Sequence, residues 1–188
     1  MSVLTAANQL TLLRMFLIPL FVILVVYGQL GWALVVFVTA GITDGLDGLI
    51  ARRSGAPSSL GAWLDPMADK LLLVTTFVVL TLPNLGLANR LPIWLTVLII
   101  FRDVGIVLTV AIVNLASGPR TFRPSSLGKI ATATYIFTAV VAMWFNYLRY
   151  HSFVFDLFVY ASLAITLASG LHYIWHARRI IDAPGQPV

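Results

Sequence analysis

Six apolar stretches, each about as long as a bilayer is thick, leave this chain few folds to choose from. They run near residues 9–27, 32–52, 60–82, 92–117, 126–148 and 153–177. A helix rises about 1.5 Å per residue, so ~20 residues cross a hydrocarbon core of about 30 Å. In lipid every backbone polar group must be satisfied within the protein, and runs this long and unbroken fit helices rather than barrel strands. Only 10% of the residues are charged and 60% are hydrophobic, against about 25% charged in soluble domains. The predicted fold is therefore all-α: a polytopic membrane protein, a six-transmembrane-helix bundle. The 188 residues make one domain, expected over 1–180, with 181–188 as a short tail.

The basic residues set an orientation. With the N-terminus in the cytoplasm, Arg14, Arg52, Arg53, Arg120, Arg123, Lys129, Arg178 and Arg179 lie at or near the cytoplasmic side, and only Arg90 and Arg149 fall in the opposite loops. Cytoplasmic loops carry the Lys and Arg excess, so both termini are expected in the cytoplasm. The net charge of +5 does not point to nucleic acid, because it sits at the ends of apolar segments, where it suits anionic lipid headgroups. Residues 15–27 read as a first spanning helix rather than a signal peptide. Without an Arg- and Ser-rich leader, a bacterial plasma (inner) membrane is the expected location. There is no cysteine, which excludes disulfides and thiolate chemistry.

Acid is rarer still, and it is clustered. There is no glutamate, and four of the seven aspartates fall between Asp44 and Asp69. Asp44 and Asp47 are three apart, Asp65 and Asp69 four apart, so each pair occupies one helix face. The two pairs sit on consecutive helices joined by a short polar loop, and an antiparallel arrangement brings the four carboxylates together near the cytoplasmic end. Ionised groups at membrane depth cost several kcal/mol and mark functional sites. Protonation or a bound cation relieves their repulsion, and hard divalent cations such as Mg²⁺ prefer carboxylate oxygen. The plainer alternative is that these aspartates cap helices or pair with Arg52, Arg53 and Lys70. Pro66, between the second pair, is expected to kink its helix and open room for metal.

Asp44, Asp47, Gly48, Ala51, Arg52, Gly61, Asp65 and Asp69 fit D-x2-D-G-x2-A-R-x8-G-x3-D-x3-D at every position. In this the chain resembles the CDP-alcohol phosphatidyltransferase family (class I). Asn8, Thr11 and Arg14 are similar to the N-x-x-T-x-x-R opening of the bacterial branch that forms phosphatidylglycerophosphate. The pairs Arg102-Asp103 and Gly128-Lys129 resemble that branch and the related eukaryotic-type one that forms cardiolipin.

The resemblance implies transfer of a phosphatidyl group from CDP-diacylglycerol to an alcohol, with release of CMP, at a cytoplasm-facing active site. It implies two divalent ions, Mg²⁺ or Mn²⁺, held by Asp44, Asp47, Asp65 and Asp69, with Asp69 also the general base. Gly48, Ala51 and Gly61, small enough for close approach, and Arg52 are expected to bind the donor nucleotide, with Asn8, Thr11 and Arg14. For Arg14 the alternative is a snorkelling anchor, and for Arg102 an ion pair with Asp103. Arg102, Arg120 and Lys129 are expected to form a basic pocket for an acceptor that carries phosphate, since Arg binds phosphate bidentately. The expected acceptor is glycerol 3-phosphate, with phosphatidylglycerol as the alternative, and a homodimer is implied by analogy. More distant readings are an intramembrane prenyltransferase with Asp-rich motifs or a small transporter.

Overall fold

The computed structural model describes residues 6–54, 59–117 and 126–182, and within them the side chains of 9–44, 67–109, 111, 115 and 126–175. Six long helices follow one another: α1 (Ala6–Val26), α2 (Leu30–Ser54), α3 (Ser59–Thr81), α4 (Ile93–Ser117), α5 (Ser126–Tyr147) and α6 (Phe153–Asp182). A short 3₁₀ turn, Pro83–Leu85, separates α3 from α4. The described residues contain no strand. All six helices fall where the apolar stretches predict them. α3 runs unbroken through position 66, so the expected kink does not interrupt the helix.

Three segments are long and apolar enough to cross a membrane among the described residues: Gln9–Val26, Ser126–Tyr147 and Phe153–Trp175. In α1 the buried residues Thr11, Arg14, Ile18, Phe21 and Val25 alternate by three and four, forming one stripe. The opposite face is just as apolar, with Leu12, Leu13, Phe16, Leu20 and Ile23 exposed. A helix that is hydrophobic all round belongs in lipid rather than in water.

The chain forms two compact units. The first comprises Met1–Leu91 and Ala139–Ser152. In it α1 packs against α2 and α3, and the rings of Phe21 and Phe37 lie 6.0 Å apart. α1 ends in a 6→1 and 5→2 pair of hydrogen bonds, Gln29 N–H to Leu24 O and Gly28 N–H to Val25 O, with Gly28 at φ 73°. This is the Schellman ending, which needs a left-handed residue. α5 ends the same way, through Tyr150 N–H to Phe145 O and Arg149 N–H to Asn146 O. Its left-handed residue is Arg149, at φ 58°. A side chain in that conformation costs about 1–2 kcal/mol where glycine costs nothing.

Asn89 fastens the loop before α4 to this α5 turn. It is fully buried, and its backbone N–H donates to Asn146 Oδ1 at 2.8 Å. Asn146 Nδ2 returns a bond to Asn89 O at 3.0 Å. The Asn89 side chain donates to Tyr150 O at 2.8 Å and accepts from Ser152 N–H at 3.2 Å.

The second unit comprises Pro92–Thr138 and Phe153–Val188, with α4 packed on α6. Its interior carries a ladder of small polar groups. Thr138 Oγ1 meets Ser162 Oγ at 2.7 Å, and Tyr135 Oη meets Thr166 Oγ1 at 2.6 Å. Ser162, Thr166 and Ser169 are buried at i, i+4 and i+7 of α6, a single face. Such side chains join helices in lipid, where no water competes for them.

Candidate active site

The aspartate motif lies on α2 and α3, as its spacing predicts, with Asp44, Asp47, Gly48, Ala51 and Arg52 on α2 and Gly61, Asp65 and Asp69 on α3. The side chains of Asp47, Gly48, Ala51, Arg52, Gly61 and Asp65 lie outside the described residues, as does that of Asn8. Asp44 and Asp69 are described, and a single guanidinium links them. Arg14 Nη1 donates to Asp69 Oδ1 at 2.6 Å, and Arg14 Nη2 stands 3.1 Å from Asp44 Oδ1. The first and last acids of the motif therefore converge within the span of one planar fork.

Burial around this contact is lopsided. Arg14 is 0% exposed, whereas Asp44 and Asp69 are 43% and 44% exposed. The cation is enclosed by the helices, and the two carboxylates reach out from it. A buried guanidinium needs anionic partners to offset its desolvation, and α2 and α3 each supply one. Arg14 is thus not a snorkelling anchor at the headgroups. It shares the buried stripe of α1 with Thr11, also 0% exposed.

The alternative pairing of these aspartates with Lys70, Arg52 or Arg53 does not include the partner seen here. Arg14 is 30 and 55 residues from its two acids, and no local spacing connects them. The available signal was the setting: Arg14 lies inside α1 in an otherwise apolar run, where ionisable residues seek partners.

In the second unit Arg102 and Asp103 are 8% and 13% exposed and joined at 2.7 Å between Nη1 and Oδ1. Arg102 Nη2 also donates to Ser169 Oγ. The ion-pair alternative for Arg102 is therefore present, together with a partner on α6 that no local pattern announces. Arg102 Nε is buried with no hydrogen-bond partner among the described residues, so this guanidinium keeps donor capacity. Lys129 is exposed in the first turn of α5. Arg120 lies outside the described residues.

Converging carboxylates backed by a buried arginine form an anionic surface suited to cations and, through them, to phosphate. Comparison with known proteins gives this chemistry a family. The family model described as CDP-alcohol phosphatidyltransferase matches residues 4–169. The chain is 33% identical over 184 residues to a Mycobacterium tuberculosis protein named "Probable phosphatidylglycerophosphate synthase", covering 93% of this chain and 82% of that one. It is 38% identical over 136 residues to the CMP-forming cardiolipin synthase of Streptomyces coelicolor, covering 69% of this chain and 60% of the relative. With the human CMP-forming cardiolipin synthase it shares 30% over 191 residues, 93% of this chain and 62% of the relative. The match runs through α1, the paired-aspartate helices and most of α6, the same elements that carry Arg14, Asp44 and Asp69, and on that ground the chain belongs to the CDP-alcohol phosphatidyltransferase family, as a phosphatidyltransferase of the membrane.

Proposed function

We propose that this enzyme transfers the phosphatidyl group of CDP-diacylglycerol to glycerol 3-phosphate, giving phosphatidylglycerophosphate and CMP. The observation that carries the site is the bridge from Arg14 to Asp44 and Asp69. The mycobacterial relative, aligned over 93% of this chain, supports the acceptor. The acceptor hydroxyl oxygen attacks the phosphorus that bears the diacylglycerol. The bond from that phosphorus to the bridging pyrophosphate oxygen breaks, CMP leaves with the oxygen, and the hydroxyl proton passes to Asp69. Asp69 is suited to this because its carboxylate is partly open while Arg14 fixes its direction from behind.

Asp44, Asp47, Asp65 and Asp69 would hold one or two divalent ions, Mg²⁺ or Mn²⁺. The donor chemistry fits: two hard oxygen ligands converge from different helices, each about two-fifths exposed. When bound, such ions neutralise the pyrophosphate and stabilise the charge that develops on it. Asn8, Gly48, Ala51, Arg52 and Gly61 would contact the cytidine nucleotide, while Thr11 and Arg14, both buried, would act on it indirectly, Arg14 through the acids it orients. Arg102, Arg120 and Lys129 would receive the acceptor phosphate. The partly unused guanidinium of Arg102 supports that role. The reading places six crossings in a bacterial plasma membrane, termini and active site toward the cytoplasm, in a homodimer.

A second reading, transfer to phosphatidylglycerol to form cardiolipin, is favoured by the two relatives named for that activity. Purified protein given labelled CDP-diacylglycerol and either acceptor separates the two. Lipid product with glycerol 3-phosphate is expected. Product with phosphatidylglycerol alone moves the assignment to the second reading, and product with neither overturns both.

A further inference from the structure

Both Schellman endings of the first unit open onto one cavity of about 630 Å³. Gly28 and Gln29 after α1, Trp32 on α2, and Trp144, Tyr147 and Arg149 at the end of α5 line it. On α1 it sits at the far end from Arg14, about 18 Å along the helix axis. A side chain at Gly31 would meet the Tyr147 ring at 3.0 Å, so the glycine is what lets that ring lie against the start of α2. The lining contains an arginine and no acid. Among the described residues no carboxylate pairs with Arg149, and its side chain is exposed.

Arg149 is the informative residue. The Schellman turn asks for glycine, and the matching turn after α1 has it at Gly28. Arginine adopts the same left-handed conformation here against its preference. A strained residue at the mouth of a cavity is grounds for a functional hypothesis. Arginine in place of glycine adds a guanidinium suited to phosphate. Arg90 adds a second exposed guanidinium to this loop region, one residue from Asn89, which is bonded to Tyr150 beside Arg149. The aromatic rings are amphipathic and suit the boundary between headgroups and acyl chains.

We propose that this cavity binds the headgroup of an anionic membrane phospholipid, with Arg149 on the phosphate and Trp32, Trp144 and Tyr147 against the glycerol and upper acyl chains. The occupant is a lipid rather than a soluble phosphate because aromatic rings share the cavity wall with the arginine and the cavity lies at the ends of apolar helices, where headgroups meet a spanning bundle. It is anionic rather than zwitterionic because no acid is present to meet a choline or ethanolamine.

The test is native mass spectrometry of the full chain, released from detergent containing equal phosphatidylglycerol and phosphatidylcholine. The wild type should retain phosphatidylglycerol roughly fivefold over phosphatidylcholine. Arg149→Asn and Arg149→Gly both suit the left-handed turn, so they should remove that preference without lowering the melting temperature. Equal retention of the two lipids by the wild type overturns the proposal. So does a preference that survives in the variants, which would locate the lipid elsewhere. Trp32→Ala, at an exposed position of the cavity wall, gives an independent reading: it should weaken the preference, and an unchanged ratio overturns the proposal.

Discussion

Arg14 donates to Asp69 on α3 at 2.6 Å while its other terminal nitrogen stands 3.1 Å from Asp44 on α2, so one buried cation ties the two acid-bearing helices to α1. Without it, two carboxylates would face each other across the helix junction. Arg14→Ala should therefore lower stability by about 2 kcal/mol, a figure reduced from the usual cost of a broken buried pair because both acids are partly exposed. For a chain of this size that is roughly 4–8 °C in the melting temperature. Added Mg²⁺ should recover more of the loss in Arg14→Ala than it adds to the wild type, because a cation then replaces a cation. Arg14→Lys should fall between the two, since an ammonium is a point charge and cannot fork between two carboxylates. An unchanged melt in Arg14→Ala would show that the bridge contributes nothing.

The roles given to Asp69 and Asp44 differ, and their variants should differ too. Asp69→Asn keeps the side chain's shape and loses the base. Turnover should fall by about 10²–10⁴ while the protein still retains CDP-diacylglycerol. Asp44→Ala should instead lose the response of activity to Mg²⁺ or Mn²⁺. Chelation of divalent ions should silence the wild type reversibly. Normal turnover in Asp69→Asn removes the base assignment, and activity indifferent to chelation removes the metal.

The positions of all six helices could be read from the chain because lipid imposes one simple demand, length of apolar sequence, and Gly28, Pro83 and Pro92 mark three of the ends. The aspartate pairs were legible for a similar reason, since spacings of three and four fix a helix face. What sequence could not supply was partnership across helices. Arg14 with its acids, Arg102 with Ser169, and Asn89 with Asn146 span 30, 55, 67 and 57 residues. Each is a buried polar group in an apolar setting, so the need for a partner was visible while its identity was not. The left-handed Arg149 was invisible too, because the turn signal there is normally glycine.

Arg102 offers a sharper discrimination. If it receives the acceptor phosphate, Arg102→Ala should raise the acceptor KM by about tenfold or more, the range for losing one charged hydrogen bond, with little change in the donor KM. If it only braces α4 against Ser169, the variant should lose stability and both KM values should stay put. Ser169→Ala separates the cases further. It removes one neutral acceptor from Arg102 and leaves the Asp103 pair, so a bracing role predicts a mild loss of stability and an acceptor role a small rise in acceptor KM.

The Asn89–Asn146 exchange should show that the two asparagines are unequal. Asn89→Ala removes the bonds from its side chain to Tyr150 O and from Ser152 N–H, but leaves its own N–H and C=O on Asn146. Asn146→Ala strips both backbone groups of Asn89 at once, and Asn89 is fully buried. A buried polar group left unmade costs about 1–3 kcal/mol. Asn146→Ala should then lose roughly 2–5 kcal/mol, the sum for one donor and one acceptor with some relaxation. Thermal melts in one detergent, compared in that order, check the ranking. If Asn89→Ala proves as costly as Asn146→Ala, the backbone groups of Asn89 are reaching water, and the loop before α4 is held by side-chain packing instead.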